Sequence, residues 1–320
     1  MCPRLSGGDP SPRLSAWIVA AMLAMVTVPA AITLLTVSSP GTLQVSSSNP
    51  TPHGYSWSLL LFVVPIVVIA FWFLPAEGVE VPRRAFWRTI GILVPIGFGL
   101  DFFFAHRFFV FRNPGATLGI RAPALYAPVP VEEYVFYFTG FICVLLLYVW
   151  LDEFWLAAYN IPDYPGESKR IPRLFQFHPT SAVVGVVLIV VAVMYKKTFS
   201  PFPDGFPTYF TFLVVGAFVP AMSLFPTARP FINWRAFSLT LFFIVLVSLI
   251  WEATLAVPYQ LWGFQPTQMA GLFIGAWARL PIEEICVWIA VTYATVIVFE
   301  VFKLWQASGR KAKHAFLGRE

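Results

Sequence analysis

Eight apolar stretches, each close to the length of a membrane-spanning helix, divide this chain of 320 residues. A helix needs about 20 mostly apolar residues to cross the hydrocarbon core of a bilayer. Only 12% of the residues are charged, about half the share of a soluble domain. The sequence therefore predicts an all-α polytopic membrane protein with about eight transmembrane helices. The predicted spans are Ser15–Val37, Trp57–Ala76, Phe86–Phe104, Val129–Trp150, Ala182–Tyr195, Tyr209–Phe225, Ala236–Val257 and Leu280–Val301.

Two of these spans need comment. The first follows Arg4 and Arg13, as in a signal peptide, but its apolar run is long and no clear cleavage site ends it, so a retained span is predicted. The fifth is the shortest, because Lys196 and Lys197 follow its apolar run.

The basic residues predict the orientation of the chain. Fifteen of the 21 Lys and Arg residues fall on the side of the N-terminus and six on the other side. The positive-inside rule then places both termini in the cytoplasm and the protein in the cytoplasmic (inner) membrane. Because the basic residues do not form one patch, nucleic acid is not an expected partner.

A short acidic phrase occurs twice, at Pro130–Glu133 and at Pro281–Glu284. Sliding the chain by 151 residues superimposes the two copies, and the same shift places Asp101 on Glu252. It also places the second, third and fourth spans on the sixth, seventh and eighth. The sequence thus predicts two parallel repeats of four spans each, at 1–160 and 161–320.

Six carboxylates at repeat-matched positions are the candidate catalytic residues. A charge at membrane depth is costly and marks a functional site by default. The simpler interpretation is a capped helix start, since proline and acidic residues both favour the first turn of a helix. Two matched copies, each with an acidic residue at the end of the preceding helix, favour a site. The six residues are Asp101, Glu132, Glu133, Glu252, Glu283 and Glu284.

The two glutamates of each pair are expected to have different roles. Adjacent residues on a helix lie about 100° apart, so the two carboxylates cannot share a face. One can face the bundle centre while the other holds a neighbouring helix or the backbone. The sequence leaves open which glutamate does which.

Aromatic residues crowd both phrases and could stabilise a cation, by about 1–2 kcal/mol each when desolvated. Most are expected to form an interfacial belt, and a few to line a pocket. They are Phe102, Phe103, Phe104, Phe108, Phe109, Phe111, Tyr134, Phe136, Tyr137 and Phe138 in the first half, and Trp251, Tyr259, Trp262, Phe264, Trp277 and Trp288 in the second.

The other polar residues give weaker indications of function. His106 has no counterpart in the second half and is interpreted as interfacial. Asp152, Glu153 and Glu300 are interpreted as ordinary boundary charges. The four histidines lack metal-ligand spacing and no nucleotide-binding loop occurs, so neither metal nor cofactor is expected.

The repeated Pro-x-Glu-Glu phrase, with an aromatic-rich span after it and an acidic helix end before it, resembles the membrane-integral lycopene cyclases of archaea, fungi and some bacteria. The similarity is strongest over Asp101–Gly140 and Glu252–Glu300. This chain differs in having eight predicted spans, where six or seven are expected, and in continuing the second phrase as Ile285–Trp288 without a Phe pair. These differences leave the substrate and ring type open.

The resemblance implies cyclisation of the ψ-ends of lycopene or a related linear carotenoid to β-rings. A carboxylic acid would protonate the substrate, a carbocation would close the ring, and loss of a proton would end the reaction without a cofactor. Glu132 and Glu283, or Glu133 and Glu284, would then be acid and base, with Asp101 and Glu252 tuning them. The expected partners are a linear carotenoid in the bilayer, the lipid membrane and other carotenoid-pathway enzymes.

Two alternatives remain from other classes. A proton-coupled transporter could use the paired intramembrane carboxylates, although they lie near one surface. An intramembrane protease with a Glu-Glu pair would be expected to carry an Arg soon after it, where Tyr137 and Trp288 stand, and His residues on later spans.

Overall fold

The computed structural model describes residues 52–160, 164–275 and 279–318, and these residues are mostly helical. Seven of their helices are long and apolar enough to cross a membrane. They are α1 (Gly54–Ala76), α2 (Arg83–Phe108), α3 (Val131–Trp155), α5 (Pro179–Thr198), α6 (Thr208–Ala228), α7 (Trp234–Ala256) and α8 (Glu283–Ser308). Two short helices, α4 (Tyr164–Arg170) and α9 (Ala312–Leu317), complete the set.

The chain is thus an integral membrane protein, and each of the seven helices overlaps one predicted span. The predicted first span, Ser15–Val37, lies outside the described residues. The fifth span is longer than predicted, because both lysines lie in the last turn of α5. Cations are favourable there, where the final carbonyl groups of the helix carry partial negative charge.

Helices α3 and α8 form the centre of the bundle. In each of these helices, 67% of the most apolar stretch is buried inside the protein, whereas in α5 only 17% of that stretch is buried. The two helices contact each other, and α8 also packs along α2, α6 and α7. A helix that is apolar all round belongs in the interior, whereas α5 presents most of its apolar surface outward, where lipid would cover it.

The two halves have matching architecture. Helices α1, α2 and α3 correspond in order to α6, α7 and α8, and in each half a loop with a short hairpin precedes the acidic phrase. The hairpins are β2 (Arg121–Ala122) with β3 (Val129–Pro130), and β5 (Phe273–Ile274) with β6 (Leu280–Pro281). Strand β1 (Phe109–Val110) pairs with β4 (Gly263–Phe264), so both loops lie at the same end of the bundle. The two halves therefore run in the same direction.

The first loop, at 111–130, and the second, at 265–281, match each other at a shift of 152 over residues 114–122 and 266–274. Pro114 and Pro266 each begin a 3-10 turn. Gly119 and Gly271 each adopt a left-handed conformation, with φ of 77° and 88°, which glycine reaches without steric cost. The second loop is one residue shorter beyond this glycine, which restores the shift of 151 at the acidic phrase.

A buried charge network joins the halves at the opposite end of the bundle. Lys303 Nζ on α8 lies 3.5 Å from Asp152, 3.4 Å from Glu153 and 3.5 Å from Glu300. Asp152 is 1% exposed and Glu300 is fully buried, so the interpretation of these two as ordinary boundary charges is wrong. The shift of 151 places Asp152 on Lys303, so two matched positions carry opposite charges that contact each other.

Two tyrosines complete the network at Glu300. Tyr148 Oη donates to it at 3.0 Å and Tyr164 Oη at 2.6 Å. Burial and then the Glu300 carboxylate raise the pKa of Tyr164, so its hydroxyl remains a donor across the physiological pH range.

We predict that Lys303→Met destabilises the protein strongly, by about 3–5 kcal/mol, because buried carboxylates lose their only nearby cation among the described residues. Arg170→Met is the matched control. Its ion pair with Glu167 is exposed, so little change is expected. Thermal unfolding of both variants in detergent measures the difference, and equal stabilities would contradict a structural role for the network.

Candidate functional site

The six predicted carboxyl groups lie together at the loop end of the bundle, and none is more than 6% exposed. Asp101 lies near the end of α2 and Glu252 near the end of α7, while the glutamate pairs occupy the first turns of α3 and α8. Glu133 is close enough to interact electrostatically with Asp101, Glu132 and Glu284. The acidic residues of the two halves therefore meet in one buried layer.

The first glutamate of each pair binds its loop. Glu132 Oε1 accepts hydrogen bonds from Ser56 Oγ at 2.6 Å and from the Leu118 amide at 2.7 Å. Glu283 Oε1 accepts one from the Ala270 amide at 2.5 Å. Leu118 and Ala270 correspond at the shift of 152, so the two contacts are equivalent. Glu132 and Glu283, the outer glutamates, join a helix start to the backbone of its loop.

The second glutamate of each pair contacts other side chains. Glu133 Oε1 accepts a hydrogen bond from Tyr55 Oη at 2.6 Å. Glu284 hydrogen bonds with the carboxyl group of Glu252. Glu133 and Glu284 are the inner glutamates, and the division within each pair, left open by the sequence, follows from these contacts.

The acidic partners of the inner glutamates differ between the halves. Glu252 reaches Glu284, whereas both carboxyl oxygens of Asp101 lack a hydrogen-bond partner among the described residues. The aspartate side chain is one methylene shorter than glutamate. The second half thus has a hydrogen-bonded carboxyl pair, and the first half has a glutamate held by a tyrosine.

Two buried tyrosines were missed by sequence reasoning. Tyr55 and Tyr209 are each the second residue of α1 or α6 and are 1% and 2% exposed. Tyr209 lies within electrostatic range of Glu284 and Glu252. The two tyrosines correspond at a shift of 154 rather than 151, so comparison of the helix starts could have found them and the shift set by the acidic phrase could not.

Four aromatic rings from four helices pack together beside the carboxyl layer. Neighbouring ring centroids within this aromatic cage lie 5.2 to 5.7 Å apart. Trp251 adjoins Glu252 in sequence, and Trp288 lies one helical turn after Glu284. The cage consists of Phe62 on α1, Phe136 on α3, Trp251 on α7 and Trp288 on α8.

The predicted aromatic residues have different surroundings, and fewer are exposed than an interfacial belt would require, since Phe108 and Phe109 are also buried. Phe136, Trp251 and Trp288 belong to the cage, and Trp262 contacts Trp251 with centroids 4.6 Å apart. Phe102, Phe103 and Phe138 are exposed at the bundle surface, as expected of an interfacial belt. His106 Nε2 donates to the carbonyl oxygen of Ala127 at 2.7 Å, outside the carboxyl layer. Trp277 lies outside the described residues.

This arrangement of buried carboxyl groups suits proton transfer. Buried carboxyl groups can exchange protons with a substrate when one is protonated and another is not. Aromatic faces stabilise positive charge where water is absent. Within the described residues, no group of three or more His, Cys, Asp and Glu side chains is arranged to hold a metal ion.

Comparisons with known protein families, curated proteins and solved structures find no match to this chain.

We predict that Gly97→Ala disturbs the site while Gly99→Ala does not. A Cβ atom at Gly97 would lie 2.7 Å from the ring of Tyr137, whereas nothing lies within 4 Å of a Cβ at Gly99. Overpacking at Gly97 should cost about 1–3 kcal/mol. Gly99→Ala should be neutral or slightly stabilising, because alanine favours helix more than glycine. Unfolding curves in detergent compare the two, and equal losses would show that α2 and α3 do not pack this closely.

Proposed function

We propose that this protein is a cofactor-independent cyclase that converts the ψ-ends of lycopene or a related linear carotenoid to β-rings. The observation that carries the proposal is the meeting of two inner glutamates, one from each half, beside an aromatic cage built from both halves. The resemblance of the repeated acidic phrase to the membrane-integral lycopene cyclases supports it independently.

The reaction requires one proton donor and one proton acceptor. The acid adds a proton to C2 of the terminal double bond, which leaves a cation at C1. Attack by the C5–C6 double bond forms the C1–C6 bond and moves the cation to C5. Loss of the proton from C6 forms the ring double bond, so the product is an isomer of the substrate and no electron carrier is consumed.

We assign the acid to the pair of Glu252 and Glu284. The two side chains lie within hydrogen-bonding reach of each other, and two carboxyl groups bond in this way only when one of them carries a proton, which supports this pair as the proton donor. We assign the base to Glu133. Its hydrogen bond from the Tyr55 hydroxyl stabilises the carboxylate form, which is the form that accepts a proton.

The aromatic cage supplies stabilisation for the cation. A ring face that meets a desolvated positive centre contributes about 1–2 kcal/mol. Trp251 is 1% exposed and Trp288 is 2% exposed, so water is largely excluded from them. Exclusion of water also prevents capture of the cation as an alcohol.

The proposal includes the cellular setting. We propose that both termini are cytoplasmic and that the carboxyl layer lies toward the outer leaflet of the cytoplasmic membrane, and the distribution of Lys and Arg supports this orientation. A linear carotenoid would reach the site from the bilayer, where the enzymes that make and modify it would also act.

We predict that bacteria engineered to accumulate lycopene form β-ring carotenoids when they express this protein. Glu133→Gln and Glu284→Gln should each lower cyclisation at least about 100-fold, since each removes a proton-transfer group. Glu132→Gln and Glu283→Gln are the matched controls, one residue away in the same helical turn. A glutamine oxygen still accepts the loop amide, so these variants should retain much more activity.

Chromatography of the extracted pigments, normalised to protein in the membrane, measures the outcome. Continued lycopene accumulation by well-expressed wild-type protein would overturn the proposed function. Greater losses in the outer variants than in the inner ones would overturn the assignment of the inner glutamates.

A proton-coupled transporter is the second candidate, and a buried polar stripe along α8 favours it. The hydroxyl groups of Thr292 and Thr295 are fully buried and have no hydrogen-bond partner among the described residues. In contrast, Thr139 and Thr240 donate to a carbonyl one turn back. The stripe continues the face of α8 that begins at Glu284.

Proton flux distinguishes the two candidates. In vesicles containing a pH-sensitive dye, a transporter would carry protons under an imposed potential and lose this flux in a Thr292→Val, Thr295→Val double variant. A cyclase would show no flux above protein-free vesicles.

A further inference from the structure

A histidine outside the carboxyl layer holds the first loop next to Glu132. His53 Nδ1 lies 2.8 Å from the carbonyl oxygen of Thr117, which can only accept, so Nδ1 is the donor. The next amide along the chain, that of Leu118, donates to Glu132 at 2.7 Å. The Thr117 carbonyl and the Leu118 amide belong to one planar peptide unit. Fixing the direction of the carbonyl therefore fixes the direction of the N–H that binds the glutamate.

A lysine does the same in the second half. Lys196 Nζ, at the end of α5, donates to the carbonyl oxygen of Met269 at 2.6 Å. The next amide, that of Ala270, donates to Glu283 at 2.5 Å. Thr117 and Met269 correspond at the shift of 152, so the same peptide unit is held in both loops.

Further hydrogen bonds hold the Lys196 ammonium group in this position. Lys196 is fully buried, and its ammonium group also donates to the carbonyl oxygens of Phe202 at 3.0 Å and Pro266 at 3.2 Å. An ammonium group has three N–H donors, and all three have backbone acceptors. A buried cation with every donor paired has a single orientation, which makes it a rigid support.

The two donors do not correspond in the repeat. His53 precedes α1, whereas Lys196 ends α5, and the shift that relates the loops relates neither helix end to the other. Two unrelated side chains therefore hold the same peptide unit in the two halves. This is evidence that the direction of that unit matters at both places.

We infer that His53 and Lys196 are positioning residues, which fix the loop peptides that orient the outer glutamates and, through the first turns of α3 and α8, the inner ones. The inference deepens the proposed function, because it names the residues that set the geometry of its acid and base. It assigns no proton transfer to either side chain.

The first test measures the loops without reference to activity. Amide hydrogen exchange in the full-length protein in detergent should become at least about tenfold faster at Ala270 in Lys196→Met and at Leu118 in His53→Ala. Each variant should leave the other loop unchanged. Lys197→Met and His106→Ala are matched controls, because Lys197 binds Pro203 and Gly205, and His106 binds Ala127. Equal exchange in variant and control would overturn the inference.

The second test asks whether the loops act on the reaction. Lys196→Met and His53→Ala should lower kcat for cyclisation about tenfold or more with little change in KM, since the substrate still binds but meets misdirected carboxyl groups. Lys196→Arg and His53→Asn, which keep a donor, should recover part of the loss. A loss confined to protein yield, with unchanged kcat, would show that the two residues only support folding.

Different results would contradict the proposed function and the positioning inference. If wild-type protein forms no ring, the proposed function fails, and the exchange measurements still decide whether the two residues hold the loops. If wild-type protein cyclises and the variants keep its kcat, the positioning inference fails and the proposed function stands.

Discussion

The hydrogen bonds from loop amides to Glu132 and Glu283 are the interactions on which the rest of the site depends. A carboxyl group at membrane depth needs partners, because lipid supplies none. The helix that carries it cannot supply them all, since its own amides are committed beyond the first turn. Each half therefore folds a loop back over the start of its central helix. The loop closes the acidic end of the bundle and gives the outer glutamate a backbone donor.

With the outer glutamates occupied in this way, the inner ones are free to face other side chains. Glu133 contacts a tyrosine and Glu284 a second carboxyl group. Both lie one residue beyond an anchored neighbour, so their positions follow from the anchoring. The aromatic cage takes one ring from each of four helices, two in each half, and forms only when the halves pack together. A site of this kind belongs to the interface of the repeats rather than to either repeat.

The halves have matching helices and loops, and their side chains differ at points where the halves meet. Asp101 and Glu252 differ by one methylene, and only the longer side chain reaches its glutamate. Asp152 and Lys303 occupy matched positions with opposite charges and bind each other at 3.5 Å. In both cases the difference is what makes the contact possible. A chemical step that needs an acid on one side and a base on the other requires this kind of asymmetry.

The sequence by itself determined the class of protein and the positions of the described spans, and it pointed to the repeat and to the six carboxylates, because each depends on local properties. Hydrophobic length identifies a span, and a four-residue phrase that occurs twice identifies a repeat. Only the tertiary structure decided the partners of each side chain. Tyr55 lies 78 residues from Glu133, and Lys196 lies 73 residues from Met269. Neither contact leaves a local pattern. Tyr55 corresponds to Tyr209 at a shift of 154 rather than 151, so the shift set by the acidic phrase does not show the match. The burial of Asp152 and Glu300 could not be predicted for the same reason. A charged residue at the end of a predicted helix gives the same sequence pattern whether it faces water or a lysine from the other half.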